Sequence, residues 1–247
     1  MNVCIFGGTT EGRLLARFLS EFNLKTDLYI ATEYGEQFVK GLNNINIYQR
    51  RLDKQHMIEL FKRNSYFCAV DATHPFARIV SQNAKEAAEY CNIKYYRIVR
   101  ESCKEKYPIY YDNIQEIISC LNNDEGNILL TTGSKDLDKF TCINNFEERI
   151  FPRILPMESS LKRAVELGYS NKNIICMQGP FSEEMNTAII NSIGAKFLVT
   201  KESAASGGFM EKVNACINTN TKCLVLKKPE EEGISLEEFK RIIRGIL

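Results

Sequence analysis

The chain has 247 residues and a mass of 28.3 kDa, enough for one large α/β domain or two smaller ones. Hydrophobic residues make up 44% and charged residues 26%, a globular balance that excludes a disordered chain or a fibre. Lys and Arg total 32 against 31 Asp and Glu, a net charge of +1, so no global field draws nucleic acid or an anionic membrane, and an acidic ligand has to be met by local groups. The start Met1-Asn2-Val3-Cys4-Ile5-Phe6 lacks the basic opening of a secretory signal. No apolar run approaches the ~20 residues that span a bilayer, so a soluble, cytoplasmic product is expected. Of nine cysteines none stands in C-x-x-C spacing. Cys4, Cys68, Cys176 and Cys223 fall in apolar runs and read as small buried hydrophobes, so neither a metal site nor a disulfide frame is expected.

Short apolar runs alternate with stretches of helical period, which predicts parallel βαβ construction. In chain order, strands are expected at 2–6, 25–31, 46–48, 67–71 and 94–99, with helices at 11–22, 33–42, 54–62 and 76–90. The Lys- and Tyr-rich stretch 102–111, with Pro108, reads as a connection. A second series follows, with strands at 127–131, 149–154, 173–177, 196–199 and 222–226 and helices at 156–167, 182–192, 208–217 and 235–247. Ser235 and Glu238 have capping-box spacing at the start of the last helix. The expected fold class is α/β, two Rossmann-like lobes with parallel sheets and a cleft between them, divided as residues 1–105 and 106–247.

The first strand runs into Gly7-Gly8-Thr9-Thr10-Glu11-Gly12-Arg13-Leu14, and Leu14, Leu15, Phe18 and Leu19 follow at helical spacing. A strand, a tight glycine turn and a helix N-terminus present backbone N–H groups beside a positive dipole end, which suits a phosphate. Gly7 and Gly12 match the outer positions of the dinucleotide fingerprint G-x-G-x-x-G, with Thr9 at the middle one. A P-loop fails, because Arg13 and Leu14 stand where it needs Lys and Ser or Thr. Gly7, Gly8, Thr9, Thr10, Glu11 and Gly12 are therefore candidate cofactor contacts. At the end of the second strand the hydroxyl of Thr32, a further candidate, suits NADP, whereas the carboxylate of Glu33 suits NAD. The residues themselves leave that choice open.

Of the two histidines, His56 lies in a polar helical stretch and reads as a surface residue. His74 lies in Val70-Asp71-Ala72-Thr73-His74-Pro75-Phe76-Ala77, at the carboxyl end of a strand, where open parallel sheets bind ligands. Pro75 is placed for the first turn of the next helix. His74 is the candidate catalytic residue and Thr73 a candidate cofactor contact; a merely packed His74 is the plain alternative.

These segments, with Thr131-Thr132-Gly133-Ser134-Lys135, Arg153-Ile154-Leu155-Pro156, Met177-Gln178-Gly179-Pro180-Phe181-Ser182 and Thr200-Lys201-Glu202-Ser203, stand in the order seen in the precorrin-6A reductases. The chain resembles that family, its cobalt-precorrin-6A members included, over nearly its whole length, and Ala72-Thr73-His74-Pro75-Phe76-Ala77 is the most specific single piece. One departure stands out: the family usually has glycine after Ser203, and here Ala204 and Ala205 precede Ser206-Gly207-Gly208. The resemblance implies an oxidoreductase acting on CH–CH bonds in cobalamin biosynthesis, with NADPH on the first lobe, the tetrapyrrole in the cleft, hydride to C19 and a proton at C18.

A macrocycle rich in acetate and propionate groups has to be met by Arg, Lys and backbone donors. Arg78, Arg97, Thr132, Gly133, Ser134, Lys201 and Ser203 are the expected substrate contacts, with Arg100 and Arg153 as further candidates. For Ser134 the plain alternative is a helix cap, and for Lys201 a surface pair with Glu202. Tyr90 and Lys94 match the Tyr-x-x-x-Lys of short-chain dehydrogenases, but that string runs from a helix end into a strand. A non-catalytic NAD(P)-sensing module, or another NAD(P)-dependent oxidoreductase, would share the glycine turn; turnover with a tetrapyrrole separates these readings.

Overall fold

The structure, a computed structural model, describes residues 1–22, 24–31, 41–99, 106–202 and 208–246. The chain forms two compact units, Met1–Glu101 with Pro229–Leu247, and Ser102–Lys228. The first holds β1 (Asn2–Phe6), β2 (Lys25–Ile30), β3 (Ile45–Gln49), β4 (Tyr66–Asp71) and β5 (Lys94–Arg97), all parallel in the order β3-β2-β1-β4-β5. Helices α1 (Thr10–Glu21), α2 (Lys54–Arg63) and α3 (Arg78–Tyr90) form its crossovers. Because side chains alternate along a strand, Val3 and Ile5 pack on one face with Leu15, Leu19, Leu28 and Val70. Cys4 and Phe6 pack on the other with Met57, Phe61, Ala84 and Ala87. Burial on both faces is why these strands read as continuous apolar runs. The helix expected at 33–42 falls mostly outside the described residues, as do Thr32, Glu33 and Arg100.

The second unit holds β6 (Ile109–Tyr111), β7 (Asn127–Leu130), β8 (Ile150–Ile154), β9 (Ile175–Cys176), β10 (Ala195–Lys201) and β11 (Lys222–Leu226), parallel in the order β6-β11-β10-β7-β8-β9. Its longer helices are α4 (Ile114–Asn122), α5 (Glu158–Glu166), α6 (Glu183–Ile193) and α7 (Phe209–Thr219). The stretch expected to be a connection thus ends in a strand, and a helix follows it. Ile114, Ile117 and Leu121 bury one face of α4, and Asn113 caps it by accepting from the Glu116 N–H. The strand expected at 173–177 shrinks to the two-residue edge β9, so Cys176 is exposed while Cys4, Cys68 and Cys223 are buried.

The last helix, α8 (Leu236–Ile246), corrects the expected division of the chain. Its Phe239 and Ile243 are fully buried in the core of the first unit with Val3, Leu15 and Ile98. The segment before it adds a parallel bridge, Ile98 to Ile234, with Ile234 N–H donating to Arg97 O and Val99 N–H to Ile234 O. Ser235 Oγ accepts from the Glu238 N–H at 3.1 Å, as the capping-box spacing requires. Among the described residues no helix is long and apolar enough to cross a membrane.

Candidate functional site

In the first sheet the chain runs β1, β2, β3 to one side and returns beyond β1 with β4, so the carboxyl ends of β1 and β4 flank a topological switch point, where such sheets bind ligands. The glycine turn stands there. Gly8 has φ +116°, and nothing lies within 4 Å of where a Cβ would project, so the backbone is approachable from that side at a conformation that suits glycine. A Cβ on Gly12 would lie 3.2 Å from Gly7 Cα and 3.6 Å from Ala72 Cβ, which is the close helix-to-strand packing the last fingerprint glycine serves. Thr9 caps α1 by accepting from the Gly12 N–H at 3.3 Å and donates to Ala72 O at 2.6 Å. Its hydroxyl thus ties the turn to the fold. Thr10 Oγ1 accepts from Arg13 Nη2, and Glu11 sits in the first turn, where a carboxylate complements the helix terminus.

The Thr9 bond to Ala72 brings the glycine turn against the loop after β4, joining the two motifs that the sequence singled out. Pro75 lies in a turn closed by Ala77 N–H to His74 O at 2.7 Å, three residues before the helix it was expected to open. His74 Nδ1 accepts from the Phe76 N–H at 3.3 Å, which assigns the proton of the neutral ring to Nε2. Thr73 donates through N–H and hydroxyl to Asp71 Oδ1, at 3.0 and 2.7 Å. Asp71, fully buried, also pairs with Arg97 Nη1 at 2.7 Å and accepts from the Tyr95 hydroxyl at 2.9 Å. Arg97 completes its hydrogen bonding with Thr73 Oγ1, Asp71 O and Glu231. Thr73 and Arg97, expected as cofactor and substrate contacts, both take part in a buried network that fixes the His74 loop. Arg78, by contrast, is exposed at the start of α3. Tyr90 is exposed at the end of α3 and Lys94 opens β5, so the two share no helical face.

In the second sheet the switch point lies between β7 and β10. A pocket of about 460 Å³ opens at their carboxyl ends, and Thr132, Gly133, Ser134 and Lys201 all line it. Gly133 has φ +83° and open space beside it. Ser134 pairs with Ser160 Oγ at 3.1 Å and caps no helix. Lys201 Nζ pairs with Asp136 at 2.6 Å, not with Glu202, whose buried carboxylate accepts from the Lys228 N–H. Burial pulls Asp136 upward, and Lys139 and Lys201 together overcome this to hold it below its ordinary value. Ser203 lies outside the described residues.

Arg153, Asn186 and Lys212 also line this pocket, the last two unmarked by sequence reasoning. Arg153 donates to Asn186 Oδ1 at 2.9 Å and lies 4.2 Å above the Phe181 ring. Lys212 stands on α7 at the helical spacing of the buried Phe209, Val213 and Cys216, and Asn186 on α6 at that of Ile189 and Ile190. A polar residue interrupting an apolar stripe is the signal that marks both.

A family model described as "Precorrin-6x reductase CbiJ/CobK" matches residues 2–246. Among curated proteins, the cobalt-precorrin-6A reductase of Salmonella typhimurium is 31% identical over 92% of this chain and 88% of its own. That of Methanocaldococcus jannaschii is 31% identical over 100% and 98%. The precorrin-6A reductase of a Sinorhizobium species is 26% identical over 84% and 78%. A solved structure described as "CobK precorrin-6A reductase" superposes with a TM-score of 0.80 at 18% identity, over 99% of this chain and 97% of that one, which shows the same fold.

Proposed function

Because the chain belongs to the precorrin-6x reductase CbiJ/CobK family, we propose that it reduces the precorrin-6A macrocycle, in its cobalt-bearing form, to the dihydro 6B form in cobalamin biosynthesis. The observation that carries this reading is whole-length identity of 31% to cobalt-precorrin-6A reductases. NADPH is the proposed reductant. The approachable backbone at Gly8 and the tight packing at Gly12 fit a pyrophosphate at the head of α1. When bound, the nicotinamide supplies the hydride, for which we propose C19 as acceptor.

The chain's own residues do the rest. The 7–12 turn orients the cofactor, and the Asp71–Arg97–Thr73 network holds His74 at the same switch point. With Nδ1 accepting from the chain, His74 Nε2 carries the proton that orients substrate or completes the reduction at C18. In the second unit Thr132, Gly133, Ser134 and Lys201 meet the carboxylates of the macrocycle. The free thiols among the described residues fit a cytoplasmic setting.

The test is anaerobic incubation of the purified protein with cobalt-precorrin-6A and, separately, with the metal-free compound, following loss of NADPH absorbance. Turnover with the cobalt form is expected. Cofactor binding without turnover on either macrocycle would leave a nucleotide-sensing module instead.

A further inference from the structure

We propose that Arg153, Lys212 and Thr132 form an anion-recognition subsite in the second unit that takes one carboxylate of the macrocycle, an assignment that rests on the function proposed above. The reasoning begins with charge. A buried charge is ordinarily paired with an opposite one, because leaving it alone in a poorly polarisable medium is expensive. Arg153 is 6% exposed, yet among the described residues no carboxylate pairs with it. Its hydrogen bond goes to the neutral amide of Asn186, and its plane lies over Phe181. Asn186 is itself held, fully buried, by its Nδ2 donating to Ser182 O at 2.8 Å, so the guanidinium has a fixed seat.

Lys212 brings a second positive charge to the same pocket, its Nζ donating to Gly208 O at 2.9 Å. Burial, and then the charge of Arg153, pull this ammonium down to about 8, against a smaller upward pull from Glu211 on its own helix and from Cys223 and Cys216. Lys201 on β10, already paired with Asp136, and Lys135 in the turn after β7 also line the pocket. Two cations crowded in one pocket make the unliganded state costly, and a bound anion relieves that cost.

An independent observation comes from a neutral group. Thr132 is 8% exposed, and its Oγ1 is buried with no hydrogen-bond partner. A hydroxyl kept dry and unsatisfied is unfavourable unless a ligand oxygen reaches it. A carboxylate seated between the two cations offers that oxygen, with one charge for the guanidinium and ammonium to share. A phosphate shares this chemistry, so the experiment separates the two sources.

The full-length protein is titrated calorimetrically with citrate at low salt, and the same variants are assayed with the macrocycle and with NADPH. Lys212→Met and Arg153→Gln should each weaken citrate at least tenfold, in the range of single hydrogen bonds to charged groups, and Thr132→Val about threefold, in the range of an ordinary hydrogen bond. The KM for the macrocycle should rise by similar factors with kcat nearly unchanged, while the Kd for NADPH stays at the wild-type value. Wild-type citrate affinity should fall between pH 7 and pH 9 as Lys212 loses its proton, and this slope should vanish in Lys212→Met. Because that variant removes a desolvated charge, its melting temperature at pH 7 without citrate should equal or exceed the wild type's. Absence of citrate binding by the wild type, or equal affinity and slope in wild type and Lys212→Met, would overturn the subsite. A rise in NADPH Kd at constant macrocycle KM would give the pocket to a cofactor phosphate and overturn the carboxylate assignment. If the wild type turns over neither macrocycle, the proposed function fails while the citrate measurements still decide the anion site.

Discussion

Gly8 concentrates the argument for the first site at a single α-carbon. At φ +116° an L side chain is strained by about 1–2 kcal/mol, and it would fill the open space left for the proposed cofactor phosphate. Gly8→Val should therefore raise the NADPH Kd more than tenfold with a circular dichroism spectrum like the wild type's, and unchanged affinity would remove the turn from the site. His74 makes a different prediction, because its loop is fixed by other residues. His74→Ala should lower kcat by about 10²–10⁴-fold if the ring moves the C18 proton, with NADPH affinity nearly constant. His74→Asn, which keeps a donor, should recover part of the loss, and wild-type turnover in the alanine variant would return His74 to a packing role. At this scale the sequence marks positions better than roles. Thr73 bonds to Asp71 two residues away, within reach of a local pattern, but the hydrogen bonds of Thr9 and Arg97 close on Ala72 and Glu231, 63 and 134 residues along the chain, and no local pattern carries that information.

Elements with a full period were legible, and those without one were not. β1 and β11 fall on their expected bounds because buried parallel strands are unbroken apolar runs. The three-residue edge β6 shows no alternation to count, and Tyr- and Lys-rich composition hid it. Its partner β11 supplies the register, Leu224 to Ile109, from far along the chain. The segment that ties α8 to β5 is likewise set by a distant contact. At Gly233 a Cβ would stand 2.4 Å from Arg97 O and 2.7 Å from Val99 Cγ1, distances at which backbone has to shift. Gly233→Ala should therefore push the 229–235 segment off β5, breaking the Ile234 N–H bond to Arg97 O, at a cost of about 1–3 kcal/mol of overpacking strain. Thermal unfolding checks this; an unshifted melting temperature would mean the segment gives way freely.

Over the whole molecule, sequence order and unit membership part company at residue 229, and this makes the stability of the protein a test of the fold. A reader of the chain alone places 229–247 with the neighbouring second lobe, because α8 follows β11 directly and its amphipathic pattern says only that one face is buried, not against what. The structure puts Phe239, fully buried, among Val3, Leu15, Leu19 and Val70, edge-on to Tyr96 with ring centroids 5.1 Å apart. Phe239→Ala removes a buried aromatic side chain and leaves a cavity, a loss of about 3–5 kcal/mol. Local opening is not uniform across a protein, and hydrogen exchange reports it amide by amide. At about 1.4 kcal/mol per factor of ten, the slowest amides of β1 and β4 should exchange about a hundredfold faster or more in the variant. Those of β7 and β10, which belong to the second unit, should keep rates close to the wild type's. Acceleration confined to β10 and β11 would instead place the last helix with the second unit, as chain order alone suggests.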